Sequence, residues 1–273
     1  MRLFGNWKFG RRPRIGVALG SGAARGWAHI GVLRCLEMNR IPVDVVAGCS
    51  AGAVIGAFYA ARAMTQVEKF ALMYKGVRDT FKYLDFSPRS GGLVQGKNFI
   101  KFLEEHLPVR NFSELKMPFG VVATDLVHME EVHISDGPLL PAIRASVAVP
   151  GFLSPLESRS PAGEVRQLVD GGLLNPVPVS LCRKLGADIV IAVDLNSEKF
   201  HEPAKSMPDI MARSIDAMRE VHKRNNFNVY PADILVEPYM PEFGFFDYHR
   251  TQEAIDIGSK AAEEKLDRIK RLL

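Results

Sequence analysis

Residues 15–61 read IGVALGSGAARGWAHIGVLRCLEMNRIPVDVVAGCSAGAVIGAFYAA, and the order of apolar and small residues in this stretch decides the fold class. Ile15 to Leu19 is a short apolar run that ends in glycines, which is typical of a buried parallel strand. After a glycine-rich turn, apolar residues recur at helical spacing at Trp27, Ile30, Leu33 and Leu36. Val43 to Ala47 predicts a second buried strand, and a helix follows as far as Ala61. Strand, helix, strand and helix in this order predict a mostly parallel sheet flanked by helices.

The rest of the chain predicts more elements of the same α/β kind. Helices are predicted over residues 67–77, 97–107, 139–147, 179–185, 208–225 and 250–272. Strands are predicted over residues 119–123, 131–134, 188–193 and 232–236, and Ser87-Pro88 and Gly91-Gly92 predict loops. The chain has no internal repeat and no obvious linker. We therefore expect one α/β domain over residues 14–273, preceded by a tail over residues 1–13.

The composition is that of an ordinary globular protein. Of the 273 residues, 47% are hydrophobic and 24% are charged, which suffices for a substantial core. Cys35, Cys49 and Cys182 lie far apart and match neither a disulfide framework nor a zinc-ligand pattern. We therefore expect a reducing, cytoplasmic setting and no metal site.

Positive charge is concentrated in residues 1–14, which contain five basic residues and no acid. Because the net charge of the whole chain is +4, the remainder is close to neutral, which argues against a nucleic-acid-binding groove. Phe4, Trp7 and Phe9 lie among these charges. Such a segment favours peripheral contact with an anionic membrane surface, whereas many chain termini simply remain in solvent. Both interpretations stay open.

The first motif with chemical meaning is Gly48-Cys49-Ser50-Ala51-Gly52, between a predicted strand and a predicted helix. A strand that turns sharply into a helix needs small residues at Gly48 and Gly52, and it exposes the Ser50 hydroxyl at the helix N-terminus. The sequence therefore indicates a serine nucleophile. The alternative is a strand-to-helix turn that contains Gly and Ser for structural reasons alone.

The second motif is Gly20-Ser21-Gly22-Ala23-Ala24-Arg25-Gly26, after the first predicted strand. A dinucleotide-binding loop would need glycine where Arg25 stands, and an acid at the end of the second strand, whereas Asp44 lies at the start of that strand. The better interpretation is an oxyanion hole formed by the backbone N–H groups of Gly22 and Ala23.

A serine nucleophile also needs a base. None of the seven histidines lies in a context that marks it, and His29 would lie too far down the first helix. Asp170, in Asp170-Gly171-Gly172, follows an apolar pair and would lie at a strand end. Asp-Gly turns are common, however, and Asp136-Gly137 is a competitor. From the residues alone the base stays undecided.

Taken together, the motifs at 22–26, 48–52 and 170–172 resemble those of the patatin-like phospholipases, particularly small bacterial members. Their order, the spacing of 28 residues from Gly22 to Ser50, and the stretch Ala145-Ser-Val-Ala-Val-Pro-Gly151 all match that family. The similarity extends from about Arg14 to at least Leu195, which is most of the chain.

The resemblance implies a three-layer sandwich and a dyad in which Ser50 is the nucleophile and Asp170 takes its proton directly. It implies that Gly22 and Ala23 bind the oxyanion, and that no cofactor or metal takes part. The remaining motif residues would shape the loop (Arg25, Gly26), the elbow (Gly48, Gly52) and the turn after the base (Gly171, Gly172). Such a base works best in a dry pocket, for which residues 147–156 and 173–179 are candidate walls. For any single residue in these stretches, a place in the ordinary core explains its apolar character equally well.

Two positions depart from the commonest family pattern, because Ser21 and Ala23 stand where glycine is frequent. The methyl group of Ala23 is expected to narrow the oxyanion hole. The implied activity is hydrolysis of lipid acyl esters, of the phospholipase A or lysophospholipase kind. Transfer of the acyl group to another acceptor, or a non-catalytic regulatory role that keeps the pocket, are the alternatives.

Overall fold

The computed structural model describes residues 11–74, 76, 85, 92–160, 162–195, 203, 207–241 and 243–273. Its main sheet consists of the strands β1 (Ile15–Leu19), β2 (Val45–Gly48), β4 (Phe119–Asp125), β5 (Glu130–Ile134), β7 (Leu156–Arg159), β8 (Val165–Asp170), β9 (Ile189–Val193) and β10 (Ile234–Val236). Their order in the sheet is β10-β9-β1-β2-β4-β8-β7, and β5 pairs with β4 beside this path. A separate parallel pair consists of β3 (Gly92–Val94) and β6 (Gly151–Leu153).

The strands from β10 to β4 are parallel, whereas β8, β7 and β5 join the sheet in antiparallel pairs. On β4, Val121 pairs with Gly48 at the end of β2, and Ala123 pairs with Asp170 at the end of β8. The elbow after β2 and the turn after β8 therefore flank β4 at nearly the same level. This register brings two of the predicted motifs together.

Helices cover both faces of the sheet, because alternate residues of its central strands point to opposite sides. The helices are α1 (Ala28–Met38), α2 (Ala51–Ala60), α3 (Met64–Ala71), α4 (Lys97–His106), α5 (Leu139–Ser146), α6 (Val179–Lys184), α7 (Met207–Val229), α8 (Thr251–Glu263) and α9 (Leu266–Lys270). On β1, Val17 and Leu19 belong to one core cluster, which also contains residues of α1, α2 and α8, whereas Ala18 belongs to a second cluster with residues of α6. Short 3₁₀ turns lie at Ala23–Trp27, Phe112–Glu114 and Gly171–Leu173. The predicted three-layer sandwich with a mostly parallel sheet is confirmed.

Most predicted elements are present, with shifted ends. The helix predicted over 250–272 is two helices, α8 and α9, and Gly92, predicted as loop, begins β3. The prediction also missed β7, where exposed and half-buried residues alternate and charged side chains leave little apolar signal. Ser87-Pro88, Gly91, Lys75 and Val77 lie outside the described residues.

Residues 1–10 of the predicted tail also lie outside the described part of the chain. The next two arginines form ion pairs with the domain, Arg11 with Asp188 at 3.1 Å and Arg12 with Asp44 at 2.7 Å. Among the described helices, none combines the length and the hydropathy that crossing a bilayer requires.

Candidate active site

Ser50 lies at the sharp turn between β2 and α2, with φ 54° and ψ −120°. A positive φ is unfavourable for a residue with a Cβ, and such strained positions concentrate at functional sites. The flanking glycines are required by space: a Cβ on Gly48 would overlap the carbonyl oxygen of Gly52, and a Cβ on Gly52 would overlap that of Leu19. The structure thus gives the predicted elbow a steric cause.

The backbone of this elbow is also held by a hydrogen bond. The N–H of Ser50 donates to Oγ of Ser146 at 3.0 Å, and Ser146, the last residue of α5, is fully buried. Because Ser50 is only 6% exposed, its N–H would otherwise lack a partner. The Ala145–Gly151 stretch contributes to the resemblance to the family, but no pattern in it indicates a role for Ser146.

The predicted oxyanion loop begins directly after β1 and lies beside the elbow. A Cβ on Gly26 would overlap the Cβ of Ala51, so glycine at this position lets the loop pack against the start of α2. Gly22 and Ala23 line the same cavity as Ser50, and among the described residues no acceptor takes the N–H of either one. Ala23 has a φ of 49°, a conformation that suits glycine better than alanine.

His29 forms a hydrogen bond with the first residue of the glycine-rich loop. Its ring Nε2 lies 2.7 Å from the carbonyl oxygen of Gly20, so this nitrogen carries the proton and donates to it. Complete burial lowers the pKa of His29 to about 4, although the hydrogen bond to Gly20 opposes this shift. His29 is therefore a neutral structural residue near neutral pH, in line with its exclusion as the base.

Asp170 is the last residue of β8 and is fully buried. Its Oδ1 accepts a hydrogen bond from the N–H of Gly172 at 2.7 Å, and Nη2 of Arg219 lies 3.4 Å from the same oxygen. Its Oδ2 has no hydrogen-bond partner among the described residues. The competing Asp136 lies on an exposed loop and does not line the cavity.

The two glycines after Asp170 are explained by close packing. A Cβ on Gly171 would overlap the carbonyl oxygen of Val122 on β4. A Cβ on Gly172 would lie 2.6 Å from Nη2 of Arg219 and 2.8 Å from Oδ1 of Asp170. The backbone of Val122 therefore excludes a side chain at Gly171, whereas a side chain at Gly172 would displace Arg219 or Asp170.

Cys49 shows how closely the two motifs approach each other. Its Sγ lies 4.0 Å from Oδ1 of Asp170, and the next residue in the chain is Ser50. Burial, together with the negative charge of Asp170, raises the pKa of the Cys49 thiol well above its usual value, so it stays neutral. The elbow that carries Ser50 and the carboxylate of Asp170 are thus neighbours in a buried environment.

Beside Ser50 lies a cavity of about 390 Å³ with largely apolar walls. Aromatic side chains dominate one part of the wall, where Phe152, Phe245 and Phe246 contact one another. The expected wall at residues 147–156 is confirmed by Val147, Val149, Phe152 and Leu153. The expected wall at 173–179 is wrong, because Val177 and Val179 pack in the core cluster that contains α6. The charged side chains along the described cavity wall are Arg25, Arg213, Asp216 and Arg219.

Three of these charged residues come from α7, which sequence reasoning did not connect to the site. Of these three, Arg219 contacts Asp170, which lies 49 residues earlier in the chain. The sequence around Arg219 has no motif that could have revealed this contact. Arg25 borders the cavity, and its predicted role in shaping the loop stays a prediction.

One cluster of described residues has the composition of a metal site, namely Asp125, His128 and Glu130 at the β4–β5 turn. Asp125 already accepts a hydrogen bond from Nδ1 of His128 at 2.7 Å. The guanidinium of Arg166 lies 3.4 Å from Asp125 and 3.1 Å from Glu130. Because Arg166 supplies positive charge at the place a cation would take, the cluster is better described as an ion-pair network.

Comparison with known proteins agrees with this geometry. The family model described as patatin-like phospholipase matches residues 17–183. An uncharacterised NTE family protein of Mycobacterium bovis is 35% identical over 208 residues, which cover 76% of this chain and 56% of that protein. Human patatin-like phospholipase domain-containing protein 6 is 33% identical over 189 residues, covering 67% of this chain and 13% of that protein. The chain thus spans about half the length of the mycobacterial relative and a much smaller part of the human one.

A further relative is lysophospholipase NTE1 of Pyricularia oryzae, 28% identical over 291 residues, which cover 94% of this chain and 18% of that protein. Among solved structures, VipD of Legionella pneumophila superposes with a TM-score of 0.53 and 13% identity, covering 94% of this chain and 67% of VipD. This likeness concerns the fold alone. The match of the family model and the identity to the relatives show that the chain belongs to the patatin-like phospholipase family.

Proposed function

We propose that this chain hydrolyses acyl esters of lipids, with Ser50 as the nucleophile and Asp170 as the base that takes its proton directly. The observation that carries the proposal is Oδ2 of Asp170, a buried carboxylate oxygen without a partner among the described residues. Buried polar atoms are nearly always hydrogen-bonded, and exceptions call for a functional reason. Here the exception lies next to the serine elbow, where a proton acceptor is needed.

In the first half of the reaction, Oγ of Ser50 bonds to the ester carbonyl carbon while its proton passes to Oδ2 of Asp170. The carbonyl oxygen becomes an oxyanion and accepts hydrogen bonds from the N–H groups of Gly22 and Ala23. When the intermediate collapses, the bond to the leaving alcohol breaks. Asp170 returns the proton to that oxygen, and the acyl group remains on Ser50.

In the second half, water attacks the acyl carbon and gives a proton to Asp170. The ester bond to Oγ then breaks, the fatty acid leaves, and the proton returns to Ser50. A neutral Cys49 thiol beside Asp170 leaves the carboxylate as the group that exchanges protons. No metal or cofactor is required for either half.

The character of the cavity supports an acyl chain as the bound group. Ligand pockets of this size bury most of a ligand against apolar side chains and orient it with a few polar groups. The walls supplied by α2, α3 and α4 include Val54, Ile55, Val67, Phe70, Phe99 and Phe102. The family description and the lysophospholipase among the relatives support lipid esters as the substrate class. Such substrates lie in membranes, and the basic, aromatic residues within 1–14 would favour contact with an anionic bilayer surface.

The proposal is tested with p-nitrophenyl esters of graded chain length and a fluorophosphonate probe, on the wild type and on Ser50→Ala and Asp170→Asn. We expect the probe to label Ser50 in the wild type and not in Ser50→Ala. We expect Asp170→Asn to lower kcat by about 10²- to 10⁴-fold, because the isosteric amide cannot accept the proton.

Asp136→Asn is the matched control, because it changes the other Asp-Gly turn on an exposed loop. It should retain wild-type activity. Equal ester hydrolysis by the wild type, Ser50→Ala and Asp170→Asn would contradict the mechanism, as would a folded wild type that the probe does not label.

A further inference from the structure

Arg219, on α7, contacts both ends of the turn that carries Asp170. Nη2 lies 3.4 Å from Oδ1 of Asp170, and Nε donates to the carbonyl oxygen of Gly172 at 3.2 Å. On the far side, Nη1 lies 3.4 Å from Oδ1 of Asp216, one turn earlier on the same helix. The side chain is only 13% exposed, and it borders the cavity. A planar guanidinium held at three edges has little freedom to rotate.

The contacts of Asp170 are strongly unequal between its two carboxylate oxygens. Oδ1 has the N–H of Gly172, the guanidinium of Arg219 and the thiol of Cys49 around it. Oδ2 has no partner among the described residues. A carboxylate whose three donors all approach one oxygen is restricted in rotation, so the other oxygen stays available to a further group.

From these contacts we propose that Arg219 is a positioning residue for the base: by bridging Oδ1 of Asp170 and the carbonyl oxygen of Gly172, it keeps Oδ2 free to receive the proton of Ser50. This inference rests on the proposed function, because it assigns Arg219 a task only if Asp170 is the base. It adds a residue from α7 to a site whose proposed nucleophile, oxyanion loop and base lie at the ends of β2, β1 and β8.

The burial of the Asp170 carboxylate makes a neighbouring cation necessary. An ionised carboxylate that is fully buried is costly unless it is paired, and breaking a buried pair leaves an uncompensated charge. Two neutral titratable side chains also interact with Asp170, namely the Cys49 thiol and the Tyr248 hydroxyl. Burial is the main cause that raises the pKa of Cys49 well above its usual value and that of Tyr248 to about 12, so both are neutral. Arg219 is the cation in contact with Asp170.

Because Arg219 borders the cavity, its side chain can be removed and replaced by a small cation from solution. In Arg219→Ala the space vacated by the side chain opens to the cavity, so added guanidinium ion can enter it. The measurements are kcat and KM on a soluble p-nitrophenyl ester, the rate of fluorophosphonate labelling of Ser50, and the thermal midpoint. They are made with and without guanidinium chloride at non-denaturing concentration, with sodium chloride at equal ionic strength as the reference. Arg224→Ala is the matched control, because Arg224 lies on the same helix, is 68% exposed and pairs with Glu220.

We expect Arg219→Ala to lower kcat and the labelling rate by about 10- to 100-fold, with KM changed by less than about twofold, because misplacing a catalytic group affects the transition state rather than substrate binding. Guanidinium should restore part of kcat in Arg219→Ala and in no other variant. Arg219→Lys should fall between the alanine variant and the wild type, since an ammonium supplies the charge without the planar fork. Arg224→Ala should match the wild type.

Wild-type kcat in Arg219→Ala would overturn the inference while leaving the proposed function intact. So would a loss confined to KM, or a loss of kcat in a stably folded variant that guanidinium does not reverse. If Arg219→Ala does not fold, Arg219→Lys decides, and wild-type kcat in that variant would contradict a role for the fork. A wild type that neither hydrolyses esters nor labels at Ser50 removes the proposed function and this inference together.

Discussion

The proposed nucleophile, Ser50, and the proposed base, Asp170, are held by contacts of different kinds. Around Ser50 the contacts are uncharged: the Ser50 N–H donates to Ser146, and His29 donates to the carbonyl oxygen of Gly20. Around Asp170 they are ionic, because Arg219 lies between Asp170 and Asp216. Neutral contacts in a packed interior depend on fit and on exact protonation, whereas ionic contacts depend on charge. We therefore expect the contacts around Ser50 to be weakened by low pH or by removal of a buried side chain. The contacts around Asp170 should be weakened by removal of charge.

The largest expected effect on the nucleophile side comes from His29. Its pKa of about 4 in the folded chain lies below the 6.5 of an ordinary histidine. Between these values the unfolded chain binds a proton more readily than the folded one, so stability is complete above about pH 6.5 and is lost as the pH falls towards 4. The loss from this one group should be about 3 kcal/mol in the free energy of unfolding.

Chemical denaturation at several pH values between 7 and 4 measures this loss. His29→Gln, whose side-chain Nε2 reaches about as far as the histidine Nε2 that contacts Gly20 and does not titrate, should show a correspondingly smaller decrease. An equally steep decrease in both proteins would show that the buried histidine is not its source.

A second, smaller effect is expected from Ser146→Ala, which removes the acceptor of the Ser50 N–H. Because that N–H is buried at a strained position, we expect a loss of about 2 kcal/mol in stability. We also expect a decrease in kcat of about tenfold, because the elbow can relax away from its working geometry. Urea unfolding and steady-state hydrolysis measure the two effects.

Ser259→Ala on α8 serves as the control, since its hydroxyl only donates to the neighbouring Glu263. Its stability and kcat should stay close to those of the wild type. If Ser146→Ala behaves in the same way as Ser259→Ala, the hydrogen bond to Ser50 contributes nothing to the elbow.

The same contrast explains which parts of the site the sequence could predict. Gly48 and Gly52 are needed where one backbone meets another, and Gly26 is needed where the loop meets the Cβ of Ala51. Such needs appear as local glycine patterns. The sheet was predictable for the same reason, because apolar runs such as Ile15–Leu19 carry a strong signal. Arg219 and Ser146 act on Asp170 and Ser50 across 49 and 96 residues of chain. An arginine on an amphipathic helix and a serine at a helix end look ordinary until the fold brings their partners near.

The smallest expected effect tests the strain at Ala23. With φ at 49°, Ala23→Gly relieves an unfavourable backbone conformation, and the entropy lost by glycine on folding offsets part of the gain. We expect stability to rise by about 1 kcal/mol or less, together with faster hydrolysis of esters that are branched near the carbonyl, since the methyl group no longer narrows the oxyanion hole.

Ala24→Gly is the matched control, because Ala24 is the next residue of the same 3₁₀ turn, is fully buried and does not have a positive φ. It should lose about 1 kcal/mol, as glycine does in a regular turn. Opposite signs at adjacent alanines would locate the strain at Ala23, whereas a loss at both positions would show that the loop tolerates alanine at Ala23 without strain.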